Sequence, residues 1–299
     1  MTAELEVLAP GPLATVQDLG RVGHAGWGVG TSGAADRGSL RLANRLLGNP
    51  DGAAAIEVTL GGLRLRVDED VTVVLTGAHC DASAGGRPIG AGVVSVVRSG
   101  EELRLGRAVS GLRTYIGVRG GIDVPLVLGS RSTDVLSGLG PPKLARGARL
   151  PVGDAPPDIA TFAGAEVDGL VPVAGADPDR PMPAVVELRI RMGPRADWFT
   201  DSARDILCSA VWTVTPESNR VGMRLTGTPL QRVSTDELPS EGVVRGALQV
   251  PPAGLPTLFL ADHPVTGGYP VIAVVLDADV DRAAQVRPGR HIRFRTTER

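Results

Sequence analysis

The chain has 299 residues, enough for one large or two ordinary domains with cores of their own. At 42% hydrophobic and 21% charged it is too apolar for disorder, and a net charge of −2 without a basic run offers nothing to a nucleic-acid backbone. No apolar run approaches the roughly 18 residues of a membrane span, and MTAELEVLAP lacks the basic and apolar regions of a secretory signal, so a cytoplasmic protein is expected.

Only 3% of residues are aromatic, so a core must be built from Val, Leu, Ile and Ala; 40 Gly and 24 Pro imply many turns between short elements. Near the start, GWGVGTSGAADRGSL (26–40) holds Gly28, Gly30 and Gly33 in the G-x-G-x-x-G spacing of a dinucleotide-binding turn. That turn needs a buried strand directly before the first glycine and a helix opening among the glycines. Here GRVGHAGW comes before and the helical pattern begins only near Ser39, which argues against a cofactor turn. The stretch and its flank instead carry Asp18, Arg21, His24, Ser32 and Asp36 on a turn-rich backbone. It reads either as N–H groups converging on an anion or as a barrel-closing loop.

SLRLANRLLG places Leu42 and Leu46 four apart, with Ser39 as N-cap and Gly48 as stop, and predicts the first helix. Strand-like runs follow at 54–60, 63–67 and 71–76; in LRLRV (63–67) apolar residues alternate with arginines, the period of a half-exposed strand. VVSVVR (93–98) and ELRLG (102–106) flank Ser99-Gly100-Glu101 and read as a hairpin, before LRTYIGV (112–118). Residues 151–184 hold seven prolines without periodicity and read as a linker or long surface loop. VVELRIRMG restarts the strand pattern, which ALQV, TLFLA and VIAVVL continue; 196–207 and 279–286 are helical. So many short strands with so few helices predict a mainly β chain of sandwich or barrel type. Its parts are an N-terminal unit over 1–150, the linker over 151–184 and a C-terminal unit over 185–299.

Cys80 and Cys208 have no C-x-x-C spacing, which argues against a disulfide framework or a cysteine zinc site. The four histidines show no metal-ligand spacing, and His79 and His291 read as structural. No G-x-x-x-x-G-K-[ST] loop is present. Of 31 cationic side chains only Lys143 is a lysine, through an arginine-rich coding bias or because an amine is needed there.

Five blocks stand in an order and spacing that resemble the family of the 5-oxoprolinase C subunit. They are TVQDLGRVGHAGWGVGTSGAADRGSLRLANRLLGN, GLRTYIGVRGGIDVPLVLGSRSTDVLSGLG, SNRVGMRLTG, LPSEGVVRGALQVPPAGLPTLFLADHPVTGGYP and VRPGRHIRF. The family is also described as KipA, allophanate hydrolase subunit 2 or the biotin-dependent carboxyltransferase A/B domain. The likeness, which runs over nearly the whole chain, implies a cyclophilin-like β-barrel architecture. It implies a KipI-type B subunit, often an A subunit too, and cleavage of 5-oxoproline to L-glutamate with ATP and Mg that this chain need not bind. Relatives within urea carboxylase instead move a carboxyl group from biotin to urea. A third alternative is a non-enzymatic KipA-type protein that binds and antagonises a KipI-type kinase inhibitor. No biotin is attached to this chain: a carrier lysine sits on a hairpin flanked by Met, whereas Lys143 lies between Pro142 and Leu144. Two departures from the family pattern fall where ligand contacts are expected. DHPVTGGY has Pro264 and Val265 where many members carry polar residues, and GLGPPKLARG replaces Gly-Gly-x-x-Gly-Arg.

Lactam hydrolysis through a phosphorylated amide oxygen needs cations for the phosphate and for the substrate carboxylate, and a carboxylate or His as base. The candidate catalytic set is Asp262 and His263, at a strand end before a Gly-Gly turn, with Gln249, Glu241 and Lys143. The candidates for substrate or phosphate binding are Arg21, Ser32, Asp36, Arg131, Ser132, Asn219, Arg220, Thr266 and Tyr269. Arg220 suits a bidentate grip on an anion. Structural alternatives stand beside these: a turn cap for Asp262, a backbone bond for Gln249, a salt bridge for Arg220 and a polar turn for Arg131 and Ser132.

Overall fold

A computed structural model describes residues 3–157, 182–234 and 236–297; residues 158–181 of the expected linker lie outside the described residues. The described residues form two compact units, each drawn from several stretches of chain. The first takes Met1–Arg21, Asp36–Asp134 and Gly138–Met182, and the second takes Val22–Ala35, Val135–Ser137 and Pro183–Arg299.

Nine strands build the first unit: β1 (Glu4–Pro10), β2 (Leu13–Gln17), β3 (Ala55–Thr59), β4 (Leu63–Val67), β5 (Val71–Ala84), β6 (Arg87–Pro88), β7 (Ser95–Val97), β8 (Glu102–Val118) and β9 (Arg149–Pro151). Among the described residues they make one antiparallel sheet with the path β2-β3-β8-β4-β1-β9, and β5 runs along β8. The alternation in LRLRV is realised: Leu63, Leu65 and Val67 are buried while Arg64 and Arg66 face solvent. They join Val7, Ile56, Val58 and Ile116 in a core almost free of aromatics.

Helix α1 (Arg37–Leu46) packs Ala43 and the following Leu47 on Val74. A β-carbon at Gly117 of β8 would stand 2.9 Å from Leu47 and 3.0 Å from Ala43, so glycine sets the depth of this packing. The helix begins earlier than a Ser39 cap predicts. Asp36 is the N-cap, accepting from the Ser39 N–H at 2.9 Å and the Ser39 hydroxyl at 2.7 Å. The predicted hairpin around Ser99-Gly100-Glu101 is also revised. The turn exists, but β7 pairs with β5, while 102–106 and 112–118 form the single long strand β8, paired with β3, β4 and β5. Asp70 draws the exit of β7 toward itself, accepting from Arg98 at 2.7 Å and the Ser99 N–H at 2.8 Å.

In the second unit the order is β10 (Val185–Met192), α2 (Asp201–Ser209), β11 (Trp212–Val214), β12 (Gly222–Thr226), β13 (Glu241–Gly242), β14 (Ala247–Gln249), β15 (Thr257–Phe259), β16 (Thr266–Gly267), β17 (Val271–Val275), α3 (Asp277–Ala283) and β18 (His291–Thr296). The helix expected over 196–207 is interrupted: a 3-10 turn ends before Phe199, and Thr200 caps α2 by accepting from the Ala203 N–H at 3.1 Å. Seven strands close a barrel in the order β10-β17-β14-β15-β12-β11-β18, shut by a parallel pairing of β10 with β18. Leu188, Ile190, Trp212, Leu248, Leu258, Ile292 and Phe294 are all fully buried. This is the mainly β, barrel-containing architecture that the sequence predicts. Among the described residues no helix is long and apolar enough to cross a membrane.

Asp279 anchors α3 to the barrel. Its carboxylate accepts from the Arg189 backbone N–H at 2.7 Å, from Arg189 Nε at 2.8 Å and from Arg282 at 3.2 Å. Burial alone would raise its pKa, but the Arg189 and Arg282 hydrogen bonds outweigh it and hold the group below the ordinary carboxylate range. A folded value below the unfolded one gives stability that is full above the unfolded pKa of about 4 and is lost as the pH falls further. In denaturation series from about pH 7 to about pH 3, Asp279→Asn is therefore expected to be less stable than wild type near neutrality and to lose less on acidification. Parallel pH profiles for the two proteins would remove Asp279 from the acid response.

Candidate functional site

Within the second unit, Asp262, just beyond β15, is 1% exposed and its carboxylate collects four donors. Oδ1 accepts from the Ser32 hydroxyl at 2.7 Å and Arg220 Nη2 at 2.9 Å; Oδ2 accepts from Arg220 Nε at 2.9 Å and the Val135 N–H at 3.1 Å. Arg220 Nη2 also donates to the Gly33 carbonyl at 2.6 Å, and the Asp262 N–H donates to the Arg220 carbonyl at 3.0 Å. Ser32 holds the left-handed conformation, with φ of 54°, that non-glycine residues seldom adopt. Arg245 ties the same stretch once more by donating to the Ala35 carbonyl at 2.9 Å. The structure thus brings Ser32, Arg220 and Asp262 together. The acceptor sites of Asp262 are occupied by these donors, and Arg220 spreads its fork over that carboxylate. Chemically the group is a fixed, neutralised pair.

Beside it, His263 is half-buried, with its ring stacked on Phe259 at 6.0 Å. Nδ1 lies 2.7 Å from the Pro264 carbonyl, which only accepts, so Nδ1 carries a proton. Gln249 is buried on β14 and donates from Nε2 to the Tyr269 carbonyl at 3.0 Å. A β-carbon at Gly267 would stand 2.4 Å from that nitrogen, so the Gly-Gly turn lets the backbone close on the amide. Glu241 on β13 forms a bidentate pair with Arg195, whose hydrogen bonds hold its carboxyl below the usual range. Thr266, on the paired β16, and Tyr269 are exposed. Asn219, also exposed, accepts from the Val221 N–H at 2.8 Å and so closes its own turn.

A second polar cluster lies in the first unit, around the turn of the Val127–Ser130 bridge. Asp18 accepts from the Gly20 N–H at 2.7 Å, the Ser130 hydroxyl at 2.7 Å, the Ser132 hydroxyl at 2.5 Å and the Arg131 N–H at 2.6 Å. Ser132 is thus committed to Asp18. Arg131 turns its side chain to the Val124 carbonyl at 2.8 Å and to the Asp123 carboxylate. Arg21, 1% exposed, reaches the Ser132 carbonyl at 2.5 Å. Asp36 is occupied as the helix cap, and its own N–H donates to the Tyr115 hydroxyl at 2.8 Å, which in turn donates to Glu57 at 2.7 Å. Burial, with the Glu57 charge beside it, pushes the Tyr115 phenol well above its ordinary value. Lys143 is exposed. Sequence reasoning missed the Val135 N–H, the Gly33 carbonyl and Arg195, because partners separated by dozens to hundreds of residues leave no local pattern. Among the described residues no group of three or more His, Cys, Asp or Glu side chains could hold a metal ion.

A family model for the carboxyltransferase domain, subdomain A and B, matches residues 27–296. The chain is 36% identical to the C subunit of 5-oxoprolinase from Escherichia coli over 293 residues, which cover 97% of this chain and 90% of that protein. It is 33% identical to the urea amidolyase of Lachancea kluyveri over 97% of this chain but 17% of that protein. The solved structure of TTHA0988 superposes with a TM-score of 0.84 at 34% identity, covering 98% of this chain and 55% of that one. The chain therefore spans about half the length of that solved relative.

Removing one member of a buried ion pair leaves the other charged and unmatched, at about 3–5 kcal/mol. Asp262→Asn is expected to lose stability on that scale in urea unfolding, whereas Thr266→Ala on the exposed ribbon should change it by less than about 1 kcal/mol. Equal effects would mean that Arg220 is not held by Asp262.

Proposed function

Because the chain belongs to the carboxyltransferase subdomain A and B family, we propose that it serves as the C subunit of an ATP-dependent 5-oxoprolinase, working with the A and B subunits of that enzyme. The observation that carries this reading is an end-to-end likeness to a 5-oxoprolinase C subunit; the likeness to urea amidolyase occupies a small part of that much longer protein.

In the reaction the lactam oxygen accepts a phosphoryl group from ATP and water adds to the activated carbon. The C–N bond then opens, the nitrogen takes up a proton, and a second water releases phosphate to leave the new carboxylate. Asp262, with every acceptor site filled, holds Arg220 and Ser32 in place rather than moving the proton. That task falls to His263, the titratable ring next in the chain. Gln249 uses one of its two amide N–H groups on Tyr269, and the second suits a developing oxyanion. Glu241, paired with Arg195, is a poor base. This sequence has no Gly-rich loop ending in Lys-Ser or Lys-Thr, so ATP in the complex is not held by a loop of that kind on this chain.

Reconstitution tests the reading. Glutamate release from 5-oxoproline should require ATP and all three subunits, and its absence from the complete set would overturn the proposal. His263→Ala should lower turnover by about 10²–10⁴ while leaving the unfolding midpoint near wild type. A second reading, carboxyl transfer to urea, is favoured by the family description; carboxybiotin-dependent carboxylation of urea would distinguish it.

A further inference from the structure

Two arginines are equally buried, and only one has its counter-charge. Arg220 lies on Asp262, whereas Arg21, at 1% exposure, meets only carbonyls: Nη2 donates to Ser132 at 2.5 Å and Nε to Val127 at 3.4 Å. Its Nη1 is buried and has no hydrogen-bond partner, and no ion pair to the group occurs among the described residues. A guanidinium is a permanent cation, and burying a charge without an opposite charge is disfavoured. The nearby carboxylate of Asp18 does not serve; its four donors are hydroxyls and N–H groups of other residues.

A strap of backbone covers Arg21. The strap from Gly138 to Pro142 passes across the guanidinium at Gly140, whose φ is 83°. A β-carbon at Gly140 would stand 2.9 Å from Arg21 Nη2 and 2.0 Å from the Ser132 carbonyl, so only glycine brings the backbone so near. The strap is tied at its start by bonds that include Gly138 N–H to the Asp134 carbonyl at 3.0 Å and Asp134 N–H to the Leu139 carbonyl at 2.9 Å. It rejoins β2 through the Leu144 N–H to Ala14 at 2.9 Å. Between Leu139 and Leu144 lie the left-handed Gly140 and the exposed Lys143.

We propose that Arg21 is the carboxylate-binding site of the first unit: a small carboxylate is taken at Nη1 beneath the 138–142 strap, which lifts to admit it. Naming that carboxylate as the one on 5-oxoproline rests on the reading of the chain as part of a 5-oxoprolinase; the anion site itself does not.

Calorimetric titration of the full chain and of the reconstituted complex with 5-oxoproline, acetate and 2-pyrrolidinone tests it. The two carboxylates should bind, and 2-pyrrolidinone, a lactam without the acid, should not. Arg21→Gln should weaken carboxylate binding by about tenfold or more, with Arg21→Lys retaining part of it. In the complex, Arg21→Gln should raise KM for 5-oxoproline far more than it lowers kcat. Because Arg21→Gln also removes two internal hydrogen bonds, crystals of the wild-type chain soaked in 5-oxoproline give a reading independent of any variant, with the carboxylate expected on Nη1. Carboxylate binding unchanged in Arg21→Gln, carboxylate density elsewhere, or no carboxylate binding by chain or complex would each overturn the proposal. Carboxylates bound at Arg21 by a complete complex that releases no glutamate would keep the anion site and reject the reaction.

Discussion

The second unit is organised by one carboxylate that must never be without its arginine. Arg220 is a buried cation, and Asp262 opposite it supplies the counter-charge. Once placed, Asp262 has acceptor sites left over, and these draw in the Ser32 hydroxyl and the Val135 N–H from stretches that the sequence places far away. Ser32 tolerates its left-handed backbone because this bond and the neighbouring Gly33 carbonyl bond hold both sides of it. The irregular loops of the unit thus inherit their shape from electrostatics, while the barrel inherits its shape from apolar alternation.

At Asp18 and Arg21 the first unit separates opposite charges instead of pairing them. The short loop through 127–132 presents N–H and hydroxyl groups to Asp18 and carbonyls to Arg21, so one piece of backbone solvates an anion with its donors and a cation with its acceptors. Hydrogen bonds of this kind orient an ion without cancelling its charge. The field at Arg21 survives for use, whereas the field at Arg220 is spent internally.

Much of the fold was legible because it follows periodicity. LRLRV alternates in sequence and in burial, and the glycine- and proline-rich composition does produce many short strands. Errors fell where a polar side chain redirected the chain. Asp36 captured the start of α1 ahead of Ser39, Thr200 interrupted the second helix, and Asp70 held Ser99 so that β7 turned to β5 instead of β8. The candidate residues were legible as chemical types, not as partners. Arg220 and Asp262 stood out individually, but nothing in SNRVG or LADHP says that each neutralises the other. Nor does QDLGR reveal that its arginine is buried with one nitrogen unmatched.

The separation between Ser32 and its acceptor has a consequence for synthesis. The two are 230 residues apart in the chain. At bacterial or eukaryotic elongation rates of roughly 5–20 residues per second, Ser32 emerges from the ribosome roughly ten to fifty seconds before Asp262 exists. Throughout that interval the stretch carrying Val22 and Trp27, which stay largely exposed even in the finished protein, has no barrel to join. The parallel pairing that shuts the barrel waits longer still, until the last strand leaves the tunnel. Until Asp262 is made, the Ser32 hydroxyl lacks the acceptor that fixes it in the finished fold.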